Sequence, residues 1–137
     1  MNYTRILLAG LGATVVYFVL GGLLFAISPL KREFQKYPAV YRTPEDMKGV
    51  WLLGIIGMLI SMFVLAVMYA LIYRGGSGMI EGAKFGLLVG GFAVGSFVLH
   101  NHVNLNIGLR LTLGQAVAYF FQWIIVGIVI GLIYRKT

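Results

Sequence analysis

Four long apolar runs, at 6–27, 50–73, 82–99 and 113–134, alternate with polar stretches along the chain. Only Lys84, near the start of the third, places a charge inside any of them. A helix rises about 1.5 Å per residue and a bilayer's hydrocarbon core is about 30 Å thick, so roughly 20 residues cross it. All four runs are long enough, the third being the shortest. They are apolar all round rather than alternating with period two, which excludes the strands of a membrane barrel. The pattern predicts one all-α domain, a four-transmembrane-helix bundle with both termini on the same side. The first run exceeds the roughly 7–15-residue core of a secretory signal, and cleavage after Ala26 or Ser28 would put Pro29 at or beside the cut. It reads as a retained helix.

The connections differ sharply. The polar connector 28–49 opens with Ser28-Pro29, which starts a short helix on which Leu30, Phe34 and Tyr37 share one face. With Lys31, Arg32 and Lys36 mostly off that face, the segment is amphipathic and suits the headgroup layer of a bilayer. After Pro38, Thr43 is a helix N-cap, with Pro44 at the first helical position and Glu45 and Asp46 in the first turn. The second helix is accordingly expected to run from Pro44 to Tyr73, about 45 Å at helical rise, with Trp51 at the interface. Arg74-Gly75-Gly76-Ser77-Gly78 is a tight glycine turn that makes the second and third helices an antiparallel hairpin. Thr112 and Gln115 have capping-box spacing and are expected to start the fourth helix. Leu71-Ile72-Tyr73-Arg74 recurs as Leu132-Ile133-Tyr134-Arg135, which aligns Ala66 and Ala70 with Gly127 and Gly131. The recurrence fits either a duplicated hairpin or the common chemistry of helix ends at an interface.

Composition agrees with the pattern: 60% of the 137 residues are hydrophobic and 11% charged, against about 45–50% and 25% in soluble domains. Without cysteine there are no disulfides, thiolate metal sites or thiol redox chemistry. The formal charge of +7 does not imply nucleic acid, because its basic residues cluster at helix ends, where they meet headgroups. Arg5, Arg74, Lys84, Arg135 and Lys136 fall on one side, and Lys31, Arg32, Lys36, Arg42, Lys48 and Arg110 on the other. That near balance leaves orientation open, with a lean to termini inside and with dual topology as an alternative.

The third run carries Gly82, Gly86 and Gly90 at i+4 spacing, with Gly91 and Gly95 one residue round. Gly127 and Gly131 repeat the spacing on the fourth run, and Gly10 and Thr14 give the first a small pair. Small residues let membrane helices approach closely, within one chain or between chains; a groove or pore lined by them is the alternative. His100, Asn101, His102, Asn104 and Asn106 form the most polar cluster at membrane depth. They could ligate haem iron or meet a quinone, or satisfy the orphan carbonyls of a helix end. His100 and His102 face different sides of a helix, and no carboxylate or cysteine stands near, so a metal pair is not expected. Gln122 is the best polar candidate within a span, since a mid-span amide needs a partner; Ser61, Tyr17 and Tyr119 are the others. No catalytic constellation can be assembled, so enzyme activity is not expected.

The second half of the chain, a glycine-rich helix (82–97), an asparagine-bearing turn and an aromatic-rich helix ending Gly127-Ile128-Val129-Ile130-Gly131, resembles small uncharacterised bacterial four-helix inner-membrane families. The resemblance implies a bacterial inner (plasma) membrane setting and no particular activity. Three functions stay open: a non-catalytic accessory or assembly subunit, a small homodimeric channel or transporter, and a haem- or quinone-binding subunit using His100 or His102. The expected partners are the lipid bilayer and either further copies of the chain or a larger membrane complex.

Overall fold

The structure, a computed structural model, describes residues 1–135. Lys136, counted in the charge balance above, lies outside the described residues. Helix α1 spans Tyr3–Gly21 and continues as a wider π-helical segment, Gly22–Ile27. The connector holds two short helices, α2 (Leu30–Phe34) and α3 (Pro44–Lys48), and α4 follows over Trp51–Ile72. Helix α5 (Gly78–Ala93) also widens into a π-helical segment, Val94–Leu99, and then returns to α-helix in α6 (His100–Asn104). Helix α7 spans Leu109–Tyr134. Four continuous stretches, Tyr3–Ile27, Trp51–Ile72, Gly78–Asn104 and Leu109–Tyr134, are long and apolar enough to cross a membrane. Among the described residues there is no strand.

Three expectations are corrected. The second helix does not run unbroken from Pro44: the helix stops at Lys48, and Val50, at φ −125° and ψ −4°, breaks the path before Trp51. Gly49 weakens the helix there, and nothing packs on this stretch to offset its cost. The fourth helix starts at Leu109 with Gly108 as its N-cap, not at a Thr112–Gln115 box, because both of those side chains are taken by tertiary partners described below. Finally, the glycine turn does not make a packed hairpin of its two flanking helices. Gly75 and Gly76 do reverse the chain, at φ of 108° and 105°, where only glycine is at ease. Yet α4 packs along α1, and α5 packs along α7.

The spatial order is therefore α5–α7–α1–α4, two antiparallel hairpins joined through α7 and α1. The α5–α7 seam is the closest. A Cβ placed on Gly86 would lie 2.5 Å from the Trp123 carbonyl oxygen and 2.7 Å from Ile124 Cα, and one on Gly127 would lie 2.6 Å from Gly86 Cα. Gly82 and Gly131 face each other in the same way. The first hairpin uses small residues too: Ala9, Ala13, Ala66 and Ala70 are buried in it, and Gly10 lies under the Phe63 ring. At the end where α1 begins and α7 finishes, all four long helices converge. Tyr69 stacks on Tyr73 at 5.4 Å and meets Phe85 and Tyr134 edge-on, at 5.4 and 5.9 Å. The two copies of the Leu-Ile-Tyr-Arg sequence thus meet, Tyr73 against Tyr134 at 5.8 Å. At the connector end α4 stands apart. Its first buried residue is Met62, and Gly54 and Gly57 have open space where a Cβ would be.

Candidate functional site

The polar groups collect at the connector end, where the connector folds over the start of α7. Its amphipathic face does the docking: Leu30 covers Gly114, and Phe34 packs between Phe25 and Tyr41, at ring distances of 6.1 and 4.8 Å. Phe25 in turn meets Tyr119 at 4.8 Å. The start of the connector is fixed by Ser28, whose hydroxyl donates to the Leu24 carbonyl and accepts from the Leu30 amide. Further along, Thr43 accepts from the Asp46 amide at 3.2 Å, which is the expected cap.

Polar ties then join the connector to α7. The Gly108 amide donates to the Tyr37 hydroxyl at 2.9 Å, satisfying one of the four donors that a helix start leaves orphaned. Gln115 Nε2 reaches the Tyr41 hydroxyl at 3.5 Å. On the rim, Lys36 Nζ binds Glu33 at 2.7 Å and Arg110 Nε approaches the same oxygen at 3.5 Å. The hydrogen bond from Lys36, helped by the two positive charges, holds the Glu33 carboxyl below its ordinary value, against a smaller opposing effect of desolvation.

His102 Nδ1 lies 2.8 Å from the hydroxyl of Thr112, which is fully buried and also 3.4 Å from the Gly108 carbonyl oxygen. This pair closes the turn between α6 and α7, and it occupies one of the two ring nitrogens. His102 is half-buried, whereas His100, Asn101, Asn104 and Asn106 are exposed. The cluster read from sequence is therefore dispersed, and of its members His102 alone joins the network. Among the described residues no group of three or more His, Cys, Asp or Glu is placed to hold a metal ion.

Gln122 lies deeper on α7, fully buried, with Nε2 donating to the Tyr17 carbonyl at 2.8 Å and so tying α1 to α7. Its Oε1 has no partner. Together Thr112, Gln115, Tyr119 and Gln122 form a stripe at i, i+3, i+7 and i+10, one face of a helix. Sequence reasoning noticed each of these residues but missed the stripe, whose spacing was the available signal; Tyr37 stood out only as part of the connector's apolar face, and Tyr41, the partner of Gln115, carried no such signal. The glycines divide in two. Gly82, Gly86, Gly90, Gly127 and Gly131 lie in the α5–α7 seam, whereas Gly91 and Gly95 have nothing within 4 Å of a Cβ position. Chemically, the network offers hydroxyls, amides and one imidazole, a set suited to holding segments together and to hydrogen-bonding a ligand.

Beside it runs a cleft of about 860 Å³. Gly21, Gly22, Phe25 and Ala26 of the first long helix make its floor, Phe34 and Pro38 a wall, and Lys31, Arg42 and Glu45 its charged rim. No family model, no curated protein and no solved structure matches the chain.

Proposed function

We propose that the chain is a small non-catalytic integral membrane protein of a bacterial inner membrane, acting as an accessory or assembly subunit. On this reading the four long helices cross the bilayer and the connector lies in the headgroup layer. The glycine rows of α5 and α7 serve as the internal weld of the fold. Carrying the reading is the contrast between that weld and the connector-side half of α4. There Leu52, Leu53, Ile56 and Ile60 are exposed, and the backbone is bare at Gly54 and Gly57. Nearly all of the chain's own small-residue packing is spent elsewhere, and this half-helix offers a second protein an unoccupied close approach.

A photo-crosslinking residue at Leu53 or Gly57, irradiated in native membranes, tests the proposal. It should give a discrete protein adduct, at twice the chain's mass for a homo-oligomer or at another defined mass for a larger complex. The same group at Ala66, which is fully buried against α1, should give none. Adducts to lipid alone from both exposed positions would refute the subunit reading.

A further inference from the structure

The cleft beside the connector joins three features that point to one kind of occupant. Its floor is apolar and, at Gly22, bare of side chain: nothing lies within 4 Å of a Cβ position there, so the cleft reaches the helix backbone. The π-helical widening begins at Gly22 and carries Phe25 and Ala26 along the same floor; such widened turns recur at functional sites. Its rim carries Lys31, at the second position of α2, and Arg42, just before the Thr43 cap, and among the described residues neither has an ion-pair partner. Of the connector's other acids, Glu33 is paired with Lys36 and Arg110, and Asp46, which keeps its charge and accepts from the Thr43 hydroxyl, does not line the cleft. Glu45, also on the rim, leaves it net positive by one charge.

We propose that this cleft is a binding site for one anionic phospholipid, with an acyl chain along Gly22 and Ala26 and the phosphate between Lys31 and Arg42. The inference rests on reading the chain as a membrane protein, but not on its being a subunit of anything. The volume lies in the roughly 300–1,000 Å³ range of small-molecule sites, enough for a headgroup and the upper part of a chain. Two basic side chains at a headgroup-level rim favour an anionic lipid over a zwitterionic one. Arg42 can present two parallel donors to phosphate oxygens, and Lys31 adds a point charge.

The test reconstitutes the full chain in nanodiscs of equal phosphatidylglycerol and phosphatidylcholine and counts, by native mass spectrometry, the lipid retained on release. The wild-type chain should keep one phosphatidylglycerol, enriched roughly tenfold over phosphatidylcholine. The double variant Lys31→Gln/Arg42→Gln should fall to parity, and Gly22→Leu, whose Cβ would meet nothing within 4 Å and whose side chain would occupy the floor, should lose retained lipid of both kinds. The charge-conserving pair Lys31→Arg/Arg42→Lys should restore the enrichment, which separates lost charge from lost folding. Lys48→Gln, off the cleft, should match the wild type. Parity in the wild type, enrichment that survives the double glutamine variant, or equal loss in Lys48→Gln would each overturn the site. Release of the chain from vesicles by alkaline carbonate would instead overturn the membrane reading itself.

Discussion

Alanine at Gly86 should destabilise the fold, whereas alanine at Gly91, only five residues along the same helix, should stabilise it. At Gly86 the new Cβ would stand 2.5 Å from the Trp123 carbonyl oxygen, about 0.9 Å short of ordinary contact, which begins near 3.4 Å. The obstructing atoms are backbone on α7, so no rotamer change relieves them and the two helices must part. Overpacking of this kind costs about 1–3 kcal/mol, and parting also stretches the weak Cα–H···O contacts that close helix pairs share. Against this, glycine to alanine within a helix gains about 0.5–1 kcal/mol in propensity. The net loss at Gly86 is therefore about 1–2 kcal/mol, a factor of roughly 5–30 in the folded-to-unfolded ratio. Gly91 has open space at its Cβ position, so there the propensity gain stands alone. Unfolding in mixed micelles of rising dodecyl sulfate content, read from Trp123 fluorescence in a Trp51→Phe background, measures both; Trp51 is exposed and Trp123 packs against the core. Shifts of the same sign and size for the two alanines would refute the reading of α5–α7 as the closest seam.

The polar network makes further expectations. Tyr37→Phe should raise the hydrogen-exchange rate of the Gly108 amide, which loses its acceptor, and cost about 1 kcal/mol. A double-mutant cycle of His102→Ala with Thr112→Val should show a coupling near 1 kcal/mol, as for a neutral hydrogen bond; additive effects would remove that pair from the network. Gln122→Leu should be close to neutral, because it deletes both the bond to Tyr17 and an unpartnered buried oxygen, whereas Gln122→Ala should cost about 2 kcal/mol or more by leaving a cavity. Glu33 has a lowered carboxyl value in the folded chain, so its support for connector docking is complete above the ordinary glutamate range near pH 4.5 and is lost as pH falls through the lowered value. Protection of the Gly108 amide should accordingly weaken in that acid window for the wild type and be flat across it for Glu33→Gln.

Hydropathy revealed the long helices because their length and polarity are dictated residue by residue, whatever packs beside them. Local chemistry was equally legible where it was self-contained: Thr43 caps its own turn, and Gly75 and Gly76 take a backbone path closed to other residues. What escaped was whatever depends on a partner distant in sequence. Thr112 and Gln115 have the spacing of a cap, but a hydroxyl and an amide that can reach His102 and Tyr41 are worth more to the fold there, so α7 begins a turn earlier. The glycine row of α5 announced close approach without naming the neighbour, and adjacency along the chain pointed to α4 when the complementary row was on α7. The break at Gly49 and Val50 has the same origin. Apolar residues run on from it into α4, but no element packs against that stretch to hold an unbroken helix.

The two ends of the molecule are built to different rules, and that asymmetry bears on function. Where α1 begins and α7 finishes, glycine and alanine seams and the ring cluster of Tyr69, Tyr73, Phe85 and Tyr134 bring the long helices together, leaving little freedom. Toward the connector, the same helices diverge: α1 and α5 widen into π-helical segments, α4 loses its packing, and a polar strap lies over α7. A fold that needed only stability would continue the glycine and alanine rows to both ends, since each additional close turn adds packing. Here Gly91 on α5, Gly95 on its π-helical continuation, and Gly54 and Gly57 on α4 have no neighbour to use them. Open glycines weaken a helix by about 0.5–1 kcal/mol each relative to alanine. Such open positions cost stability that this chain alone does not recover, which fits the proposed surface completed by lipid and by a second protein.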